Sequence, residues 1–560
     1  MKFKKITALA ATLVIGASTC GVFSGCGTVV EEEGYDPTKA NLTVATYDGG
    51  VGEAWLKEAA ARFTEMHKNS THFQEGRTGV NIMVSASDKY AGSTIGEKSL
   101  DKDVYFTESV EYYTFINQDK VANITDVVKA SLEDYGEVNS DGTPVTIESK
   151  LDASFQDYLT AKDGNYYMIP FYDGFYGFIY DVDLFEEQGF YVDDNGNPLK
   201  LKKNATEADR KTFEEKKSDG PDGLPNTYDD GLPATYQQLI DLCEYIAGKS
   251  GYAPFCYSGQ YVDYVTKAFR SAAVDYEGYD AFKVNYTLTG DDVKLVKSIN
   301  SDGSLEFEYK DIQPSNAYEL QKQAGKYYAL WLQEQLFGEP KYTGGTYNTF
   351  DYLVAQEKFV SSKYSSLRYA MLAEGVWWEN EAEKVFNDME EFKGEAKGSR
   401  RFGLLPMPKA PGQEAGRQTM FSANSSFGFI NKSCENMELA KEFMRFLHTD
   451  SEMSKFSAST SIPRSLNYEV SKEDRANATH FGKTLIDMRA QAKVIYPYSS
   501  ESLVLKNPSN FTEGIWFSTA KVDGRVMNNP FTAFQNKTAT SAQFFNGLYT
   551  YQKDQWSTLK

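Results

Sequence analysis

Leu42-Thr43-Val44-Ala45-Thr46-Tyr47-Asp48-Gly49-Gly50-Val51-Gly52 is the stretch whose reading decides the fold. Its first six residues have the apolar, β-prone pattern of a buried strand, and the glycine-rich run after them is a turn. Beyond the turn, Trp55, Leu56, Ala59, Ala60, Phe63 and Met66 recur at helical spacing and predict one apolar helix face. Val80, Ile82 and Val84 alternate as a second strand, and Asp103-Val104-Tyr105-Phe106-Thr107 reads as a third. Strand–helix–strand order builds a parallel sheet, so the fold class is α/β. In such sheets ligands sit outside the carboxyl ends of the strands. Tyr47, Asp48, Thr107 and Glu108 are therefore candidate ligand contacts on topological grounds.

The ends and the composition set the compartment and the partners. Lys2, Lys4 and Lys5 precede an apolar run, Ile6 to Ala17, too short to span a bilayer, and the pattern is that of a secretory signal. Val22-Phe23-Ser24-Gly25-Cys26 follows and resembles a bacterial lipobox, which implies cleavage after residue 25 and acylation of Cys26. The acidic stretch behind it reads as a tether over residues 26–40, and the expected location is extracytoplasmic, anchored to the outer face of the cell membrane. Among 560 residues, 41% hydrophobic and 14% aromatic content can fill substantial cores. A net charge of -21 argues against nucleic acid or anionic lipid as a partner. Beyond the signal, Cys243, Cys256 and Cys434 have no metal-ligand spacing and are expected as buried free thiols.

Farther along, an aromatic, β-prone run spans Tyr166 to Phe185, broken by Pro170 and Gly174, and a polar insertion occupies residues 191–232. Thr235 and Gln238 form a capping box ahead of Leu239, Ile240, Cys243 and Ile246. A helix is expected around Leu320 to Phe337, and a buried strand from Tyr369 opens into Trp377 and Trp378. Pro406-Met407-Pro408 stiffens an extended crossing. A strand from Ser426 to Ile430 then leads to a helix capped near Asn436 that buries Leu439, Ala440, Phe443, Met444 and Leu447.

The order of these segments resembles the family 1 extracellular solute-binding proteins of ABC importers, the group that includes maltose-binding protein. The resemblance rests on Leu42 to Trp55, Ile169-Pro170 through Tyr180 and Leu184-Phe185, the Leu232 to Leu239 helix start, Gly375 to Trp378, and Pro406 to Gly412. The helix at Ala440 to Phe443 and Ile462-Pro463 complete it. It implies two α/β lobes joined by strand crossings with a ligand cleft between them. The first lobe would hold residues 41–168 and 410–462, and the second 171–403 and 466–560, with crossings near Pro170, Pro406 to Pro408, and Pro463. It implies a monomer that captures a carbohydrate, expected to be an oligosaccharide, and hands it to permease subunits without chemical change.

A pyranose needs a flat aromatic platform and fixed polar groups. Trp377 and Trp378 sit where the family places a cleft tryptophan; alternation on a strand would send one to the cleft, with Trp378 the expected one. Tyr172 and Asp173 lie at the first crossing, Trp516 is a further candidate platform, and Asn424 a polar contact. In the insertion, Asp219, Asp222, Asn226, Asp229 and Asp230 cluster hard oxygens among glycines, the donor type calcium needs, with spacing unlike an EF-hand. Such an ion would hold the loop's shape, and no cofactor is required for binding. The rival class is an anchored glycoside hydrolase, which needs two carboxylates across a cleft. The sequence has no Gly-x-Ser-x-Gly elbow, His-Glu-x-x-His or Walker loop.

Overall fold

In chain order the framework strands are β1 (Ala40–Thr46), β2 (Val80–Ala86), β3 (Val104–Thr107), β4 (Ile169–Pro170), β5 (Tyr176–Asp181), β6 (Tyr252–Cys256), β7 (Arg368–Gly375), β8 (Phe402–Leu405), β9 (Thr419–Phe421), β10 (Phe427–Ile430) and β11 (Lys493–Ile495). The computed structural model describes residues 34–345, 349–413, 418–422, 426–507 and 516–556. The chain divides into Met1–Tyr35 and a compact body, Asp36–Lys560, that carries both lobes.

The first sheet has the order β2-β1-β3-β10-β4. β1 is parallel to β2 and β3, with Val44 in register with both Val84 and Val104, while β10 enters antiparallel between β3 and β4. The helix Ala54–Met66 buries Trp55, Leu56, Ala59, Ala60 and Phe63. Met66, expected on the same face, is exposed at the last turn. The second sheet has the order β8-β5-β7-β6, with β7 antiparallel to β5 and parallel to β6. The Thr235 capping box forms as the sequence predicts, the Thr235 hydroxyl accepting from the Gln238 amide. Asn436 caps the helix Met437–Leu447. The helix expected from Leu320 starts at Ala324, after a 3-10 turn. Cys243, Cys256 and Cys434 are free and buried. No helix among the described residues is long and apolar enough to cross a membrane.

The lobes are joined where three crossings lie side by side. The Phe171 amide donates to the Ser426 carbonyl, and the Asp173 amide donates to the Pro463 carbonyl, both at 2.9 Å. The second crossing falls later than the proline-rich stretch suggests. Lys409 donates its backbone N–H to Ala234 and its ammonium to Asp275 at 2.5 Å, and Thr419 also bonds Asp275. β9 pairs with β11, so the chain stays with the second lobe through Phe421, and it rejoins the first sheet at Phe427. The proline stiffness at 406–408 belongs to an extended arm packed on the second lobe.

Asp173 pins this junction. Its fully buried carboxylate accepts from Arg489 Nε at 2.8 Å and from the Tyr496 hydroxyl at 2.9 Å. Burial pushes its carboxyl up from the ordinary aspartate value, against the lowering pull of Arg489. Asp173→Ala leaves a mostly buried guanidinium unpaired and is expected to cost on the order of 3 kcal/mol. Urea unfolding measures this, and a loss below about 1 kcal/mol would show that the ion pair does not hold the junction.

Candidate functional site in the interlobe cleft

The strand ends that the parallel order aims at the cleft meet across it. After β1 the chain turns through Asp48–Gly52, with Gly50 at φ 65° and Gly52 at φ 71°, left-handed values that suit glycine. The Tyr47 ring folds over Gly49, where an added Cβ would fall 2.4 Å from its Cε1. A Cβ built on Gly50 would stand 3.7 Å from Glu108 Oε1, at the end of β3, and 3.8 Å from Trp377 Cβ, beyond β7. Gly50 thus places first-lobe backbone against second-lobe indole, and the two lobes are closed on each other.

On the first-lobe side, Glu108 accepts the Tyr172 hydroxyl at 2.9 Å. Burial raises the Glu108 carboxyl, while that hydrogen bond and the Lys267 ammonium pull it down. Tyr47, half-buried, has its phenol pushed up to about 12 by burial and then by the negative charge of Glu108. Asp48 projects exposed from the turn.

On the second-lobe side, Trp377 packs edge-to-face on Tyr176, ring centres 5.0 Å apart, with Tyr264 at 6.3 Å. Its six-membered ring lies back over Gly375, where an added Cβ would approach Cζ2 to 2.3 Å. Any other residue there would displace the indole. In the same lobe, Gln356 donates to Glu381 at 3.1 Å and to Glu374 at 3.5 Å. Both carboxyls are raised, first by burial. Glu381 adds repulsion to Glu374, and Glu108 adds repulsion to Glu381. The Gly50 backbone N–H is directed at Glu381, a polar contact between the lobes.

The structure therefore brings together Tyr47, Glu108, Tyr172 and Trp377 of the sequence-predicted set. It takes Trp378, Thr107, Asp173 and Trp516 away from the cleft. Trp378, the expected platform, is fully buried among Phe359, Phe386, Phe402 and Phe481. Strand alternation does not reach it, because β7 ends at Gly375 and Trp378 opens the short helix Trp378–Glu381. Thr107 is buried with its hydroxyl committed to the Tyr90 carbonyl at 2.6 Å. Asp173 is committed to the junction. Trp516 packs in the second-lobe core against Phe282 and Phe421, with the Arg270 guanidinium 4.2 Å from its ring centre. Asn424 and Cys26 lie outside the described residues.

Sequence reasoning missed Tyr264, Lys267, Gln356, Glu374 and Glu381, and did not single out Tyr176 within its aromatic run. Glu381 follows Trp377 by one helical turn, a signal visible only once the strand is known to end at Gly375. Tyr264 and Lys267 belong to the short helix Asp263–Ala268, whose sequence carries no mark of the cleft.

The acidic loop is a separate structure. Asp229 accepts from the Asp222 amide at 3.0 Å and the Thr227 hydroxyl at 2.7 Å, and Asp230 from the Asn226 and Thr227 amides. Burial, then the charge of Asp222, pushes the Asp229 carboxyl up to about 7. Asp222 Oδ2 is buried without a protein donor, and Asp219 is exposed. Among the described residues no group of three or more His, Cys, Asp or Glu side chains is arranged to hold a metal ion. As folded, hydrogen bonds close this loop.

Solved structures share the fold. One is a chitin oligosaccharide binding protein, 13% identical, with a TM-score of 0.51 over 93% of this chain and 99% of that one. Another is the mannobiose-bound BlMnBP1 binding protein of an ABC transporter from Bifidobacterium animalis subsp. lactis ATCC27673. It is 14% identical, with a TM-score of 0.52 over 93% and 95% of the two chains. A third comes from work on xylan utilization by Caldanaerobius polysaccharolyticus, 13% identical, with a TM-score of 0.54 over 91% and 99%. No curated protein matches. The sequence profile of one family, described as bacterial extracellular solute-binding protein, matches residues 58–481. Two lobes closed over an aromatic and carboxylate-lined cleft, spanned for most of their length by that profile, make this chain a member of the bacterial extracellular solute-binding proteins.

Proposed function

We propose that the chain captures an oligosaccharide by closure of its lobes and delivers it, chemically unchanged, to the permease of an ABC importer. The observation that carries this reading is the pairing of unlike walls. Trp377 with Tyr176 and Tyr264 offers apolar ring surface from one lobe, and Tyr47 and Glu108 of the other, with Tyr172 of the first crossing, offer hydroxyl and carboxylate groups. Sugars present both an apolar face and a rim of hydroxyl donors, so this pairing suits them. The oligosaccharide ligands named for two of the structural relatives agree with it.

A thermal-shift screen of malto-, xylo-, galacto- and manno-oligosaccharides is expected to give at least one stabilising sugar, without turnover in product analysis. Trp377→Ala should then weaken binding by about 2 kcal/mol, roughly 30-fold. Trp378→Ala should instead destabilise the fold by about 3–5 kcal/mol through the cavity it leaves. Hydrolysis of the sugar would replace the proposal with a glycoside hydrolase, and a response only to other solutes would remove the carbohydrate.

We also infer that Cys26 is acylated and holds the mature protein at the outer face of the membrane through the 26–40 tether. Cys26→Ser should move the protein from the membrane to the soluble fraction; retention in the membrane would exclude this anchor.

For the acidic loop, the buried donorless Asp222 Oδ2 beside Asp229 supports a structural calcium ion taking the place of the Thr227 hydroxyl. Millimolar calcium, and not magnesium, should raise the melting temperature of the wild type, and Asp222→Asn should abolish the rise. An identical melt with and without calcium would leave hydrogen bonds as the loop's closure.

A further inference from the structure

Arg464 follows Pro463 on the third crossing and is fully buried. Its guanidinium carbon stands 5.3 Å from the centre of the Phe171 ring and 5.1 Å from that of Phe456. Nε and Nη2 have no protein acceptor, and no Asp or Glu among the described residues pairs with it. Burial pulls its pKa down only to about 9, so it stays charged at neutral pH. A second donor adjoins the same two rings. The Trp55 indole lies 5.2 Å from Phe171 and 5.0 Å from Phe456, is buried, and its Nε1 has no partner.

The groups around this cluster do not balance the charge. His448, its ring centre 6.4 Å from that of Phe106, donates Nδ1–H to the Met444 carbonyl at 2.6 Å, and burial together with Arg464 keeps its ring neutral. The Tyr468 hydroxyl accepts from the Arg464 backbone amide at 3.1 Å and bonds Ser457. Arg489 and Asp173 are bonded to each other. Lys150 adds a further positive charge near His448 and is held by Glu137 and Asp450. A buried guanidinium without a counter-charge costs several kcal/mol, and interiors keep such charges only when paired.

We propose that a small monovalent anion of halide size binds between Arg464 and the Trp55 indole N–H as a structural ligand of the interlobe junction. Arg464 lies on the third crossing, Phe171 on the first, and Trp55 opens the helix that leaves the cleft turn. One ion therefore ties together the segments that must keep their places when the lobes close.

The test is thermal unfolding of the purified full-length protein in sodium chloride or bromide against sodium gluconate, at matched ionic strength and neutral pH. The expected result is a halide-specific rise in melting temperature that saturates with concentration, and its loss in Arg464→Met. Should that variant fail to fold, Trp55→Phe, which keeps an aromatic ring but removes the indole N–H, should weaken the halide response. A crystal grown in bromide should show an anomalous peak within about 3.5 Å of Arg464 Nη2. Equal melting in all three salts, a halide response retained in Arg464→Met, or a water molecule alone at that position in the bromide crystal would each overturn the proposal.

Discussion

In the cleft the carboxyl groups of Glu108, Glu374 and Glu381 lie out of water, with Lys267 supplying positive charge near Glu108. Desolvation of that kind is costly unless donors replace the lost water. The protein meets part of the demand itself, through the Tyr172 hydroxyl, the Gln356 amide and the Gly50 backbone. A guest rich in hydroxyls meets more of it, because each hydroxyl brings a donor to a carboxylate without bringing charge. The closed cleft is thus electrostatically incomplete, and the sugar proposed above would complete it. Its aromatic wall supplies the apolar half of the same match.

Much of the fold was legible because the responsible forces are local or periodic. Val44 between Val84 and Val104 needed only alternation, and the Thr235 cap needed only its own side chain and that of Gln238. The parallel order then placed Tyr47 and Glu108 at the cleft before any contact was known. What the sequence could not convey were facts of termination and long-range pairing. Whether β7 ends at Gly375 or runs on through Trp378 depends on Phe359, Phe386 and Phe402 closing around the second tryptophan. Asp173 could serve a ligand or a hinge equally well until Arg489 and Tyr496, more than 300 residues later, are seen to claim it.

The lobe boundary near residue 410 teaches the same lesson. Prolines at 406 and 408 make the chain stiff and extended, which suits a bridge between lobes. The buried Lys409–Asp275 pair and the Thr419 hydroxyl instead hold that arm to the second lobe. Local stiffness says how a segment runs; distant partners say where it lies.

The placement of β10 carries a consequence for how the molecule is made. Phe427–Ile430 inserts between β3 and β4, and both neighbours are made long before it. The first sheet stays open, one strand short in its middle, while the whole second sheet is being synthesised. A chain emerging from its amino end therefore has every strand of its second sheet before the first sheet can close. Through that interval the unpaired edges of β3 and β4 have to be kept from pairing with anything else.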